Sequence, residues 1–581
     1  MQDSHAAPDR AAEQGGCFDA VIVGAGFAGM YMLHCLRALG LSVRVYEAGG
    51  DVGGTWYWNR YPGARCDVES LQYSYSFSPA LDQEWHWSEK YSPQSEILAY
   101  ASHVADRFDL RREMRFDTRV TTAAYHEGEA RWLVETDRGD RVSAQFCIMA
   151  VGCLSAANKP PFEGIADFQG PVHHTGEWPH HEVDFSGLRV GVIGTGSSAI
   201  QSIPLIARQA AALTVFQRTA AYTVPAWNAK ISPEAERAAK ADYPALRARA
   251  RARPTGFYFL YNMQSALEAT AAEREQQYEE SWARGGLPFL GAYGDLLFEK
   301  AANDTIAEFA RRKIRAIVRD PATADLLCPD NVFGCKRLCV DTGYYETYNL
   351  PHVKLVDVSK RPIERFTRDG IVANGTEYPL DIVVCATGYA AMTGSFDRIR
   401  ISGRGGLTLR EKWQAGPRTY LGLGSAGFPN LFVIAGPGSP SVLASLIQAI
   451  EQHVDWIADC IGHMREVGAR SIEALPEYED EWVGHVNEVA KVSLRSTCDS
   501  WYLGANIAGR PRVFMPYIGG FPVYVNRCNE VMTRGYEGFV LTGGPGAKAP
   551  PKVRFTERWR VPLDMDVISP AALAAMRVPV V

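Results

Sequence analysis

No two of the 12 cysteines in this 581-residue sequence form a CxxC pair, and only Cys335 and Cys339 lie close together. This spacing favours a reducing setting over a disulfide scaffold. The polar start of the chain lacks the apolar segment that export requires, so we expect a disordered N-terminus over residues 1–17 and cytoplasmic localisation. No metal site is expected.

Long apolar runs are also missing. No run of about 18 residues is free of glycine, proline and charge, which predicts that no segment spans a membrane. The net charge of −6 gives no reason to expect nucleic acid or an acidic membrane surface as a partner. The basic residues are scattered except in "RARARARP" (247–254), which we interpret as a solvated helix face.

A glycine-rich turn near the start indicates a dinucleotide site. In residues 18–48 an apolar strand leads into Gly24-x-Gly26-x-x-Gly29, a helical pattern and a second strand that ends at Glu47. The glycines let the backbone approach a pyrophosphate, and the helix points its first N–H groups at it. Glu47 is placed to accept hydrogen bonds from ribose hydroxyls. The competing interpretation, a packing turn, explains this complete unit less well.

The same pattern returns over residues 189–218, with the opposite charge at its end. Gly194-x-Gly196-x-x-Ala199 opens the helix, and Arg218 stands where the first unit has Glu47. A carboxylate repels a 2′-phosphate, whereas a guanidinium binds it through two hydrogen bonds. The first unit is therefore predicted to bind FAD and the second NADPH.

These patterns predict an α/β fold with two Rossmann-like dinucleotide-binding domains, one for FAD and one for NADPH. Between the two halves of the second domain the pattern turns Ala-, Glu- and Arg-rich, which predicts a helical insertion in the NADPH domain. The expected boundaries are 18–152 and 390–540 for the FAD-binding domain, 153–224 and 331–389 for the NADPH-binding domain with its linkers, 225–330 for the insertion and 541–581 for a C-terminal extension.

Four further motifs show a resemblance to a known family. They are F-x-G-x-x-x-H-x-x-x-W-P at Phe168, Gly170, His174, Trp178 and Pro179; G-x-W-x-x-x-x-Y-P-G-x-x-x-D at Gly54, Trp56, Tyr61, Pro62, Gly63 and Asp67; the pair Lys336-Arg337; and "SWYLGANIAGRPRVFMPYIGGF" (500–521). With the two nucleotide turns, they resemble the type I Baeyer–Villiger monooxygenases, most of all the phenylacetone and steroid branch. The resemblance runs from about residue 18 to about residue 540.

The resemblance implies two cofactors, FAD and NADPH/NADP+, and a set of residues for each. For FAD the residues are Gly24, Gly26, Gly29, Glu47, Thr55, Trp56, Asp67, Tyr73 and Val120. For NADP they are Gly194, Thr195, Gly196, Ser197, Ser198, Gln201, Arg218, Thr219, Lys336 and Trp501. Lys336 is assigned to the 2′-phosphate beside Arg218 and Thr219.

The resemblance also implies the reaction. NADPH reduces FAD, O2 adds to give a C4a-peroxyflavin anion, and this nucleophile inserts one oxygen atom next to a ketone carbonyl to give an ester or lactone. Arg337 is the candidate for stabilising the negative charge, because a fixed cation in a dry site needs no reorganisation. Asp67 is expected to hold Arg337 in position. Without the resemblance, Lys336-Arg337 would be a surface basic pair, and Asp67 would belong to a surface loop with an ion pair to Arg65.

His174 is interpreted as part of the linker between the domains, where it reports domain rotation by exchanging hydrogen-bond partners. A buried structural histidine is the main alternative, because nothing near His174 in the sequence supports catalysis.

The segment "GPGSPSVLASL" (436–446) resembles the loop that lines the family's ketone pocket. Ser441, Val442 and Leu443 are expected to shape it. The expected partners are an apolar ketone and O2, in a monomer or weak homo-oligomer without nucleic acid.

Three other functions fit parts of the sequence. A flavin monooxygenase acting on N or S centres through the hydroperoxyflavin shares both nucleotide turns, but the Trp178-Pro179 and Lys336-Arg337 pairs favour the ketone enzyme. A dithiol flavoprotein reductase needs paired cysteines near the flavin, where the loop after Gly54 offers only Cys66. A non-catalytic NADP-binding protein need not keep Asp67 or Arg337.

Overall fold

The computed structural model describes residues 14–259, 261–543 and 551–560. Most of the expected disordered N-terminus (1–17) and of the expected C-terminal extension (541–581) therefore lies outside the described residues. Among the described residues, no helix is long and apolar enough to cross a membrane.

The first sheet has eight strands and contains the first nucleotide turn. Its central strand, Gln14–Val23, pairs in parallel with both neighbours and leads into helix Phe27–Ala38. Because parallel central strands are covered on both faces, the apolar run Ala20–Val23 is fully buried. The strands in spatial order are Arg400–Ser402, Val120–His126, Arg131–Thr136, Arg141–Met149, Gln14–Val23, Val43–Tyr46 and Met114–Arg115, and Leu431–Val433 also pairs with Arg141–Met149.

The second sheet has five parallel strands and contains the second nucleotide turn. Arg189–Ile193 leads into helix Ser197–Ala207. The strands in spatial order are Val353–Asp357, Ala212–Gln217, Arg189–Ile193, Ile382–Cys385 and Val172–His174. The edge strand carries His174 of the fingerprint motif, so this part of the expected linker belongs to a sheet. The predicted α/β fold is confirmed.

Three small sheets complete the strands. They are Thr223–Pro225 with Cys339–Asp341; Arg365–Phe366, Gly370–Ala373 and Thr376–Pro379; and Ser471–Ala474 with Phe539–Thr542. Helices outside the insertion and the nucleotide turns are Thr55–Trp58, Pro79–Glu84, Gln94–Arg107, Tyr344–Thr347, Leu409–Lys412, Leu446–Glu466, Pro476–Lys491 and Phe521–Thr533.

Residues 225–330 are mainly helical, as the composition predicts. The helices are Pro233–Ala241, Tyr243–Arg251, Ala271–Arg284, Lys300–Ile317 and Pro321–Leu327. The interpretation of 247–254 as a solvated helix face is wrong for Arg247, although Arg249 is exposed. Arg247 is 6% exposed and pairs with Asp82 at 3.0 Å, with a further bond to Ser74. The carboxylate of Asp82, which is distant in sequence, compensates for burying the charge of Arg247. The alternation of arginine with alanine gave no sign of this partner.

Cys335 and Cys498 form a disulfide although 163 residues separate them. The spacing argument, which favoured a reducing setting over a disulfide scaffold, gave no sign of this one pair. Spacing along the chain could not show it, because folding alone brings the two segments together. The other ten cysteines are free thiols.

Candidate active site

A cavity of about 1210 Å³ lies between the two sheets, and both nucleotide turns open into it. Pockets for one drug-sized ligand usually measure about 300–1,000 Å³. The size and the two turns therefore suit more than one ligand. Every predicted cofactor residue except Gly29 lines this cavity, as do Arg337 and Asp67.

The first turn is shaped by close backbone contacts. Gly24 has φ +105°, and a Cβ there would lie 2.5 Å from the carbonyl oxygen of Ala150. Gly29 has no contact with the cavity because its role is packing: a Cβ on Gly29 would overlap the carbonyl oxygen of Gly24. These two positions admit only glycine, which keeps the start of helix Phe27–Ala38 tight against the strand.

Glu47 lies at the end of strand Val43–Tyr46, as predicted. Its carboxylate is 6% exposed and accepts 2.7 Å hydrogen bonds from the backbone N–H groups of Ala25 and Gly49. Burial raises the pKa of Glu47, and the two backbone donors oppose that rise. Trp56 Nε1 donates to Tyr73 Oη at 3.1 Å, so two predicted FAD residues that line the cavity are bonded to each other.

The second turn lies beside two cations. Arg218 is exposed and has no carboxylate partner among the residues with described positions. Burial and the neighbouring charge of Arg218 lower the pKa of Lys336. Thr195 Oγ1 donates to the carbonyl of Thr219 at 2.6 Å and holds the turn against this pair. The charges of Asp330 and Asp499 act on Lys336 and oppose the fall in its pKa, while Arg218 and Lys336 together still attract a dianion such as a phosphate.

Asp67 and Arg337 meet across the cavity. Arg337 donates from Nε to Asp67 Oδ2 at 2.9 Å and from Nη2 to Oδ1 at 2.8 Å. Its Nη1 donates to the carbonyl oxygen of Val442 at 2.9 Å. Arg65, the partner of Asp67 in the alternative interpretation, pairs instead with Glu89 at 3.2 Å. A guanidinium has five N–H donors, so two remain for a ligand in the cavity.

This arrangement keeps the guanidinium of Arg337 protonated. Burial alone would lower the pKa of Arg337, but the carboxylate of Asp67 outweighs burial and raises it. The side chain is 28% exposed, and that of Asp67 is 23% exposed. Arg337 is thus a permanent cation. Two hydrogen bonds to Asp67 and one to the carbonyl of Val442 hold it in place, and part of its surface borders the cavity.

His174 does not border the cavity. Its Nδ1 accepts from the backbone N–H of Gly176 at 3.0 Å, so Nε2 carries the proton and donates at 3.2 Å to Asn158 O and Thr387 Oγ1. Burial lowers the pKa of His174, which keeps the ring neutral. The ring is 6% exposed and ties its edge strand to two other segments.

The other fingerprint residues mostly support packing. Phe168 lies edge-on to Phe366, and a Cβ on Gly170 would overlap the carbonyl of Asp381. Trp178 is 4% exposed and reaches the cavity, whereas Pro179 does not line it.

Of the three predicted ketone-pocket residues, Val442 lines the cavity. Ser441 is buried with Oγ directed at Met392 Sδ, and Leu443 packs in a neighbouring apolar cluster. Sequence reasoning did not single out several other apolar lining residues, although two of them, Ala444 and Leu446, lie in the predicted segment 436–446: Cys66, Cys153, Phe257, Ala444, Leu446, Ile447 and Ile450. The last three begin helix Leu446–Glu466 with helical spacing, a signal that was available in the sequence; Phe257 comes from the insertion and gave none.

Comparisons with known proteins agree with this geometry. A family model described as pyridine nucleotide-disulphide oxidoreductase matches residues 21–243. A Baeyer–Villiger monooxygenase of Pseudooceanicola batsensis is 43% identical over 530 residues, which are 90% of this chain and 96% of that protein. A phenazine N-monooxygenase of Lysobacter antibioticus is 39% identical over 91% of this chain and 98% of its own. The solved structure of an oxidised steroid monooxygenase bound to NADP is 54% identical, with a TM-score of 0.87, and covers 91% of this chain and 100% of its own.

Proposed function

The chain belongs to the Baeyer–Villiger monooxygenases, FAD- and NADPH-dependent enzymes that convert ketones into esters or lactones, and we propose that Arg337 and Asp67 form the centre of its chemistry. The observation that carries this proposal is the forked ion pair, which places a permanent cation on the wall of the shared cavity.

The residues around the first turn fit FAD. Gly24 brings the backbone to the cavity, and the buried carboxylate of Glu47 already accepts N–H donors, as it would accept ribose hydroxyls. When bound, FAD reduced by NADPH supplies the electrons that activate O2. The protein must then exclude water and stabilise negative charge.

Arg337 supplies that stabilisation. Its position is fixed before reaction, so its charge is available without rearrangement of side chains or solvent. Asp67 positions the guanidinium, and the carbonyl of Val442 accepts a hydrogen bond from its Nη1. Because Val442 also lines the cavity, the residue that orients the cation also contacts the space available for a ketone.

The second turn is assigned to NADPH, with Arg218 and Lys336 on the 2′-phosphate. Two cations beside Thr219 fit a dianion, whereas NADH carries a hydroxyl at this position. His174 is assigned a positioning role. It holds the edge strand to Asn158 and Thr387 and lies outside the cavity, so it does not act on the substrate.

The substrate is proposed to be an apolar ketone. Phe257, Val442, Leu446 and Ile447 give the cavity apolar lining, and Val442 lies directly beside Arg337, which donates to its carbonyl oxygen. A ketone fits because its carbonyl is its only polar group, and the remaining N–H donors of Arg337 match it.

The direct test replaces Arg337 by Ala and by Lys. Both variants should bind FAD and bleach with NADPH, since Arg337 is assigned to the oxidative half of the reaction. Arg337→Ala should form no ester, and Arg337→Lys should form less than wild type because Lys keeps the charge but loses the fork. Ester formation by Arg337→Ala at the wild-type rate would refute the assignment.

Oxidation at nitrogen is the second candidate, because the phenazine N-monooxygenase is almost as similar as the ketone enzyme. A single assay with a cyclic ketone, a thioether and phenazine separates the two. The proposed function predicts lactone as the main product. Phenazine N-oxide without lactone would favour the second candidate.

A further inference from the structure

The Cys335–Cys498 disulfide joins two segments that both border the cofactor cavity. Cys335 directly precedes Lys336 and Arg337, and Cys498 directly precedes the cavity-lining stretch 499–501. Their Cα atoms are 6.3 Å apart, within the range found for disulfides. No step in the proposed reaction uses either cysteine.

We propose that Cys335–Cys498 is a reversible thiol–disulfide site that controls how tightly the enzyme retains NADP+. The inference rests on the proposed function, since it assigns the stretch 499–501 to the NADP side of the cavity.

The disulfide is the strongest link between these segments near the cofactor. A second link, from Arg495 Nε to the carbonyl of Gly334 at 3.1 Å, lies before Cys498 in the chain. Beyond Cys498 the stretch is held without covalent links: Gly504 N–H donates to the carbonyl of Trp501, Asn506 Nδ2 donates to the carbonyl of Tyr389 at 2.6 Å, and an exposed pair joins Arg512 to Asp499 at 3.2 Å. Trp501 and Tyr502 also pack in an apolar cluster with Val442. Exposed pairs contribute little. Breaking the S–S bond therefore removes the covalent link between the Lys336–Arg337 segment and the stretch that places Trp501 on the cavity, and only non-covalent contacts then hold that stretch in place.

The two sulfur atoms differ in access, which fixes the direction of exchange. Cys335 is 0% exposed, whereas Cys498 is partly exposed. A thiolate from a dithiol can reach only Cys498 Sγ. It forms a mixed disulfide there while the electron pair of the S–S bond leaves with Cys335, which then takes up a proton.

The second thiol of the dithiol then attacks the mixed disulfide and releases Cys498 as a thiol. Two electrons pass from the dithiol to the protein, and the dithiol leaves as a disulfide. Exchange with an oxidised dithiol reverses the step.

The surroundings of Cys335 suit a leaving thiolate. Asn331 Oδ1 lies 3.9 Å from its sulfur, and the buried Nδ2 of the same amide has no hydrogen-bond partner among the described residues. Rotation of that amide places a donor beside the sulfur. Lys336 follows directly in the chain and adds positive charge to this region. Both features stabilise the anion that the exchange must release.

The experiment compares FAD-loaded enzyme equilibrated with oxidised or with reduced dithiothreitol. Alkylation after denaturation, followed by intact mass, should give ten labels in the oxidised enzyme and twelve in the reduced enzyme, since ten of the 12 cysteines are free. The dissociation constant of NADP+, measured by flavin absorbance, should rise about 10-fold on reduction, the equivalent of about 1.4 kcal/mol for releasing one or two ordered side chains.

Cys498→Ser should resemble the reduced enzyme in both dithiothreitol states. Cys328→Ser, which changes a partly exposed free thiol in the insertion, should respond as wild type does. Twelve labels in the oxidised wild type, or equal NADP+ affinity in the two wild-type states, would overturn the inference even if Cys498→Ser did not fold. Failure of the proposed function would look different, because a cyclic ketone would then give no lactone in either dithiothreitol state, whatever the affinity for NADP+.

Discussion

Tyr61 Oη donates a 2.8 Å hydrogen bond to Gln201 Oε1 and so joins the loop before Asp67 to the helix after the second nucleotide turn. The same amide receives the Arg65 N–H at 3.4 Å and donates from Nε2 to the Arg65 carbonyl at 3.1 Å. Gln201 was expected to bind NADP. It lines the cavity, yet its polar atoms hold the loop that positions Asp67.

Replacing Gln201 by Leu should therefore disturb ester formation more than NADPH binding. Each hydrogen bond lost is worth about 0.5–1.5 kcal/mol, so the ester formed per NADPH consumed should fall about 3- to 10-fold. Product yield and the KM for NADPH are the two readouts. Gln209→Leu, beyond the end of the same helix, is the control. A raised KM with unchanged yield would assign Gln201 to the cofactor instead.

Replacing Arg218 by Ala should weaken the preference for NADPH over NADH. A charge-assisted contact worth about 1.5–3 kcal/mol corresponds to about 10- to 100-fold in kcat/KM. The loss should fall on NADPH and spare NADH, because only NADPH carries the 2′-phosphate. Arg208→Ala, an exposed arginine directly after helix Ser197–Ala207, should leave the ratio unchanged. An equal loss with both cofactors would show that Arg218 does not contact the phosphate.

His453 makes stability depend on pH. Burial lowers the pKa of His453 to about 3, and its ring accepts from Ala435 N–H at 2.9 Å and contacts Tyr524 Oη at 2.8 Å. The folded pKa lies below the unfolded value, so the unfolded state takes up the proton first. The free energy of unfolding therefore falls as pH drops from about 6.5 toward 3, by up to about 1.4 kcal/mol per pH unit.

His453→Asn removes the contribution of His453 to the pH dependence of the free energy of unfolding. Other titrating groups remain in both proteins, so their contributions cancel when the two are compared. Between pH 6.5 and 5, the wild type should lose about 2 kcal/mol more than the variant. Denaturant midpoints at several pH values measure the difference, and exposed His126→Asn is the control. Parallel pH curves for wild type and His453→Asn would contradict the prediction.

Arg558 lies between two buried carboxylates of helix Leu446–Glu466. Its guanidinium is 2.6 Å from Asp455 and 3.6 Å from Glu451, both 0% exposed. Arg558→Ala leaves two buried anions without their cation, which should lower the free energy of unfolding by about 3–5 kcal/mol.

Denaturation of the FAD-loaded enzyme measures the effect of Arg558→Ala. Arg554→Ala removes a 55% exposed guanidinium 3.8 Å from Glu466 and should change little. Equal effects of the two variants would show that the buried pair adds nothing.

Local sequence patterns predicted the two nucleotide units well, because strand, turn and helix are adjacent in the chain. Gly24, Glu47, Gly194 and Arg218 lie where their spacing placed them. The ketone pocket was predicted less well. Ser441 and Leu443 turn away from the cavity while Val442 faces it, because the short helical turn Ser441–Leu443 points successive side chains in different directions.

The sequence by itself determined the two dinucleotide folds and the family, and it placed an acid, Asp67, in one motif and a cation, Arg337, in another. Only the tertiary structure decided which groups meet: that Arg65 binds Glu89 and leaves Asp67 to Arg337, that Arg247 is buried, and that Cys335 reaches Cys498. The physical reason is that backbone geometry and apolar periodicity act over a few residues. The partner of a buried charge or thiol is set by packing between segments that lie from 24 to 270 residues apart in the chain.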